Sequence, residues 1–219
     1  GNDTQDVATL RSRLIKAGTA DPARTGRLLR GEGDKTTNHL LSCVQAAPPA
    51  ATTHARSLIR KVRKLYPLYT DVQAAAFLDK AGDTPMARMS RMRELKQQLD
   101  VFRKTLYAWR DDIAQMAKLP GQLNDLRVSR RQVANALENC WRRVAPPRWP
   151  VNQPYTTLKL ESNPVGPFPT LTEQDVAHVR TLQVRDMNAG DELAYFLKPF
   201  KKQTRLELYG NKVTRLHEA

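Results

Sequence analysis

Cysteine is nearly absent from this chain of 219 residues. Only Cys43 and Cys140 carry thiols, and they lie 97 positions apart. This excludes a disulfide-stapled scaffold, and neither cysteine has partners at the spacing of a zinc site. Histidine is equally sparse: His39, His54, His178 and His217 are dispersed, so no metal or cofactor is expected. Aromatic residues make up 6%, which argues against a β-sandwich of average composition. No apolar run approaches the roughly 20 residues of a transmembrane helix. The opening stretch, GNDTQDVATLRSRL, lacks the basic-then-apolar plan of a signal peptide. Gly1 in place of Met suggests a tag remnant or an excised fragment. Catalytic signatures are missing as well: there is no G-x-S-x-G, no glycine-rich phosphate loop and no H-E-x-x-H.

Positive charge is abundant, and it is unevenly spread. The net charge is +14; residues 1–150 hold 27 Lys/Arg against 14 Asp/Glu, and the remainder holds 9 against 8. An excess of this size attracts phosphate or anionic lipid. The densest stretch is HARSLIRKVRKLYP, where Arg56, Arg60 and Lys64 share one helix face, so residues 56–64 are a candidate anionic-surface contact. Elsewhere the basic residues are scattered, which fits a solvated helical surface better than a nucleic-acid site.

Apolar spacing in the first two thirds is helical. Val7, Leu10, Leu14 and Ile15 predict a helix over 5–17, Asp21-Pro22 opens a short one, and Leu40, Leu41 and Val44 mark another. Leu58, Ile59, Val62 and Leu65 form the apolar face of a helix that Pro67 stops. Thr70 and Gln73 match a capping box. From Met86 to Leu119 apolar residues recur at steps of three or four, which predicts one helix of about ten turns, roughly 50 Å long. After Pro120-Gly121 a second helix, Leu123 to about Val144, is expected to fold back as an antiparallel hairpin. The stretch APPRWPVNQP then bars helix with four prolines. It divides the chain into a basic helical domain (1–146), a proline-rich linker (147–154) and a final domain (155–219).

That final domain returns on itself every 24 residues. Leu158, Leu182 and Leu206 correspond, as do Leu160, Val184 and Leu208. Asn163 and Asn211 occupy one further position, where the middle unit has Met187 and its Asn188 stands one place late. L-x-L-x-x-N at this period is the frame of a leucine-rich repeat. The expected architecture is therefore mainly α: a helical domain with a long hairpin, followed by the first turns of an α/β leucine-rich-repeat solenoid. Leu193, Phe196, Leu197 and Phe200 would form a helix on its convex side, and Trp141 and Trp149 would seal its first turn. The chain stops inside the third unit, so the native protein is expected to continue. Facing outward would be Thr157, Lys159, Glu161, Thr181, Gln183, Arg185, Arg205, Glu207 and Tyr209, a mixed-charge surface suited to a protein partner.

Two constellations invite a chemical reading. Asp111 and Asp112 are adjacent on a helix, where neighbours face apart, so they are read as solvated charges. His39 and Cys43, at i and i+4, could approach on one helix face; a thiolate–imidazole pair there would still need a pocket and a third, orienting group.

The ordered set LYPLYTDVQAAAFLDKAG, TPMARMSRMRELKQQLDVFRKTLYAW, ENCWRRV and AHVRTLQVRDMNAGDELAYFLKPFKKQTRLELYGNKVTRL resembles bacterial dermonecrotic-toxin-like, leucine-rich-repeat effectors, over residues 65–219. In that family a helical region ending in Cys-Trp-Arg-Arg runs into the repeats, and a C-terminal NEL ubiquitin-ligase domain often follows. The resemblance implies secretion by a non-classical system, action in the host cell and presentation of a host protein to a cysteine-dependent ligase domain. The family's nucleophile is a cysteine with an acidic residue two places on. Cys43 is followed by Val44-Gln45 and Cys140 by Trp141-Arg142, so no catalytic residue of this chain is assigned. The competing functional reading is a nucleic-acid or anionic-membrane module built on the basic helical domain.

Overall fold

Helix α1 (Ala50–Leu65) ends just before Pro67, and each of the next two helices starts on a threonine. The computed structural model describes Thr9 and residues 50–150, 153–161 and 164–214. Thr70 opens α2 (Asp71–Ala81) with both halves of the capping box: its Oγ1 accepts from the Gln73 amide at 3.2 Å, and the Gln73 side chain accepts from the Thr70 amide at 2.9 Å. Thr84 opens α3 (Pro85–Arg110) by accepting from the Ala87 amide, with Pro85 in the first turn where its missing N–H costs nothing. The helices expected over 5–17, 21–30 and around Leu40, and the His39–Cys43 pair, lie outside the described residues apart from helical Thr9.

The chain divides into two compact units, Gly1–Arg60 and Lys61–Ala219. The second unit has a helical core of Val62, Leu65, Met92, Leu95, Leu99, Phe102, Leu106, Leu126, Val133 and Leu137, all buried. These positions recur at three, four or seven residues along each helix, so each helix buries one stripe.

The long helix hairpin is not formed. Helix α3 has 26 residues, about 39 Å, and stops at Arg110 instead of running to Leu119. The cause is the aspartate pair expected to be solvated. Asp111 leaves the helix and binds the Arg110 guanidinium, while the Asp112 carboxylate accepts from the Gln115 amide and starts a separate turn, α4 (Ile113–Met116). A further turn through Gly121, whose φ is 105°, leads to α5 (Leu123–Trp141). Proline and glycine are thus not the only helix stops in this stretch; the aspartates end α3 before Pro120 is reached.

Nor is the last part a leucine-rich-repeat solenoid. It is a small parallel sheet of three five-residue strands, β1 (Thr157–Glu161), β2 (Thr181–Arg185) and β3 (Arg205–Tyr209), in that order. The 24-residue spacing is the register of the sheet: Leu158 lies beside Leu182 and Leu182 beside Leu206. The connections do not repeat. Between β1 and β2, Pro164, Pro167 and Pro169 deny the chain helical hydrogen bonds, and it runs through turns. Between β2 and β3 lies the short helix α6 (Leu193–Leu197), which buries Leu193 and Phe196. A solenoid needs one unit reproduced, and these two are unlike.

Candidate functional site

Side chains alternate across a strand, so one face of this sheet is apolar and the other is open. Leu158, Leu160, Leu182 and Val184 are all buried, while Leu206 and Leu208 on β3 are half-buried. All nine residues expected to face outward do share the opposite face, in three ladders: Thr157–Thr181–Arg205, Lys159–Gln183–Glu207 and Glu161–Arg185–Tyr209. The charges on it are ordered. Lys159 and Glu161 pair along β1 at 3.2 Å. Glu207 binds the Arg185 guanidinium across the strands and that of Arg205 at 2.8 Å. The Arg185 hydrogen bond, aided by Gln183 and by both positive charges, holds the Glu207 carboxyl below its usual range. Beside this cluster Tyr209 is 73% exposed.

The interior asparagine of the third strand's turn secures the face from behind. Asn211 donates from Nδ2 to the Val184 carbonyl at 2.7 Å, and its Oδ1 accepts from the Ala189 amide. Asn163 lies outside the described residues. At the middle position Met187 is buried, and Asn188 has a φ of 50°, so the late asparagine relieves a left-handed turn.

Cys140, at the end of α5, meets β1: its Sγ lies 3.5 Å from the Thr157 carbonyl. Its other neighbour is His178, 38 positions away, a pairing that no spacing rule announces. His178 Nε2 lies 2.8 Å from the Cys140 carbonyl oxygen and 3.4 Å from Sγ. A carbonyl only accepts, so Nε2 carries the ring proton and cannot take one from the thiol. Burial pushes the thiol up to about 12 and, with the Arg143 charge, pushes the imidazole down to about 3. Both shifts oppose a thiolate–imidazolium pair, so this is a neutral structural contact.

Trp141, expected at the seam with the sheet, has aromatic partners among the helices. It stacks on Tyr66 at 6.0 Å and Phe102 at 6.5 Å, inside the helical core, and Trp149 packs on Tyr155. Arg130, which is fully buried, also holds the junction. Its guanidinium donates to the Val165 carbonyl (2.9 Å), the Trp109 carbonyl (2.6 Å) and the Gln115 side chain (2.7 Å), and it lies over the Trp109 ring. Trp109 in turn donates to the Pro167 carbonyl. Arg130 was legible in principle: it sits between Leu126 and Val133 on the inward stripe of α5, where a charged residue needs a reason. A second polar tie joins α3 to α5: Glu138 accepts from Arg103 (2.9 and 2.5 Å) and from Tyr107. Burial alone would raise the Glu138 carboxyl, but the Tyr107 and Arg103 hydrogen bonds outweigh it and hold it low.

Along residues 56–64 the side chains of Arg56, Arg60, Lys61, Arg63 and Lys64 are exposed, and Arg63 pairs with Asp71 at 3.0 Å. Among the described residues no group of His, Cys, Asp and Glu could hold a metal ion, and no helix is long and apolar enough to cross a membrane. Comparison with protein-family models, with curated proteins and with solved structures finds no match.

Proposed function

We propose that this chain is a protein-recognition region whose contact surface is the open face of the β1–β3 sheet. The observation that supports the reading is the convergence of Arg185 and Arg205 on Glu207 beside an exposed Tyr209. Charges already held in place on a rigid sheet lose little freedom on binding, and an exposed tyrosine supplies an anchor. The resemblance to secreted bacterial effectors supports a host protein as the partner and a role in presenting it to a ubiquitin-ligase domain. Chemistry is assigned to no residue of this chain, and the neutral Cys140–His178 contact is consistent with that.

A photo-crosslinking residue at Tyr209 tests the reading in host-cell extract, against the same residue at exposed Lys118. A discrete adduct from position 209, lost when Arg205 and Glu207 are exchanged for residues of opposite charge, is the expected result. Identical adduct patterns from both positions would remove the sheet face as the contact surface.

A further inference from the structure

Where α5 ends, the chain makes a turn that favours glycine, and Arg143 stands in it. Its φ is 55°, and the Val144 amide bonds back to the Asn139 carbonyl at 2.8 Å. The Arg143 guanidinium lies 4.7 Å over the Tyr66 ring, and Nη1 donates to the Trp141 carbonyl. The rest of the fork is free: among the described residues neither Nε nor Nη2 has a hydrogen-bond partner, and no carboxylate pairs with Arg143. This cation is one wall of a pocket of about 290 Å³, between the turn that joins α1 to α2 and the proline-rich chain after α5. Leu68, 57% exposed, and half-buried Tyr69, Trp149 and Tyr155 give the pocket apolar walls that solvent reaches. Gln73 also lines it; its side-chain oxygen is taken by the Thr70 amide, which leaves the Nε2 donor. No carboxylate lines the pocket.

We infer that this pocket binds an aromatic carboxylate, with its ring against Tyr69, Trp149 and Tyr155 and its carboxylate on the free edge of the Arg143 guanidinium. Each half of the ligand answers an observation. Three aromatic rings alone would also suit a quaternary ammonium, but the Arg143 charge repels a cation. A phosphate finds a single cation here and leaves the rings uncovered. A polyproline segment needs a donor for its carbonyls, and the Trp149 indole N–H already goes to the Gln153 carbonyl at 3.1 Å. A planar ring gains from packing on aromatic walls, and a carboxylate matches the planar fork of arginine. The left-handed backbone at Arg143 fits a residue kept for its side chain, since glycine would hold the turn without strain. The pocket shares no residue with the open face of the sheet, so the two sites stand or fall separately.

The probe is indole-3-acetate, titrated into the full chain by calorimetry. Saturable binding with a Kd below about 1 mM is expected. Indole-3-acetamide, which lacks the charge, and acetate, which lacks the ring, should each bind at least about tenfold more weakly. Arg143→Gln should lose at least about tenfold in affinity. Because Arg143 also packs on Tyr66, the second variant is Leu68→Glu, at an exposed position, which sets a carboxylate in the pocket and should lose as much. Lys80→Gln removes a cation from an exposed site outside the pocket and should bind as the unaltered chain does. Circular dichroism confirms that each variant keeps its helices. A peptide of about eight residues ending in Trp with a free carboxylate carries the same chemistry. Tighter binding of that peptide than of indole-3-acetate assigns the ligand to a peptide C-terminus, and weaker binding assigns it to a free small molecule. No saturable binding of either, equal binding of the acetamide, full affinity in Leu68→Glu, or tighter binding of inorganic phosphate or tetramethylammonium would each overturn the inference.

Discussion

The ring of His178 is hydrogen-bonded to the carbonyl of Cys140, and the same nitrogen lies 3.4 Å from that residue's own sulfur. A cysteine beside a histidine invites comparison with a catalytic pair, yet here the proton is already on the nitrogen that faces the thiol. With the thiol pushed up to about 12 and only 2% of the residue exposed, thiolate is almost absent at neutral pH. Cys140 should therefore resist iodoacetamide in the native chain and react in urea. Mass spectrometry of tryptic peptides reads this out. Modification of Cys140 in native buffer as fast as in denaturant would refute the neutral-pair assignment.

Burial of the same ring makes stability depend on pH. His178 is held down to about 3 by burial and by the Arg143 charge, whereas an unfolded histidine titrates near 6.5. Between those values the unfolded chain binds a proton that the native chain does not. Stability is therefore full above pH 6.5 and falls as the pH drops toward 3. At pH 5 the loss is about 2 kcal/mol. Urea unfolding at pH 7 and pH 5 should show the shift in the unaltered chain and a smaller one in His178→Gln. An identical shift in both would assign the acid sensitivity elsewhere.

Arg130 joins the end of α3, the turn of α4 and the loop after β1 through three acceptors. Removing it takes a donor from each of them; the Trp109 carbonyl keeps the Asp112 amide at 3.4 Å, and each buried acceptor left bare costs about 1–3 kcal/mol. Arg130→Met should lower unfolding free energy by about 3–5 kcal/mol. Arg130→Lys should recover little, because one ammonium on a flexible stem cannot reach three acceptors arranged for a planar fork. If the lysine variant unfolds at the same urea concentration as the unaltered chain, the fork geometry is not what holds the junction.

These cases mark where the sequence is readable. Caps and periods are local, so the Thr70–Gln73 box and the inward stripes of the helices can be read from spacing. The 24-residue return is also local in kind: it repeats an alternating pair, Leu158/Leu160 to Leu206/Leu208, and it sets which residues lie side by side. The step from register to solenoid fails because register concerns strands alone, and the three prolines between β1 and β2 give that connection a shape the next one lacks. Trp141 shows a different limit. Its place on α5 is clear from periodicity, but whether it faces the helices or the sheet depends on a rotation of one residue. Cys140 takes the side toward the strand, and Trp141 stacks on Tyr66 and Phe102. Arg130 and His178 meet partners 35 and 38 positions away, at Val165 and Cys140. Local patterns do not reach such distances.

Asn211 carries the last prediction. Its amide nitrogen donates to the Val184 carbonyl at 2.7 Å, and its oxygen receives the Ala189 amide at 3.3 Å. The first bond ties the exit of β3 to β2, whose Val184 is fully buried. The second is longer and contributes less. Asn211→Asp keeps the oxygen and loses the donor, and it sets a negative charge against the Val184 carbonyl. Asn211→Ala loses both groups without adding repulsion. The expected order of stability is unaltered chain, then Ala, then Asp, with the alanine change costing about 1–2 kcal/mol. Hydrogen exchange locates the effect: the β3 amides should lose protection first, because β3 has a paired neighbour on one side only among the described residues. An aspartate variant as stable as the unaltered chain would mean that the Val184 carbonyl finds another donor and that Asn211 does not pin the strand.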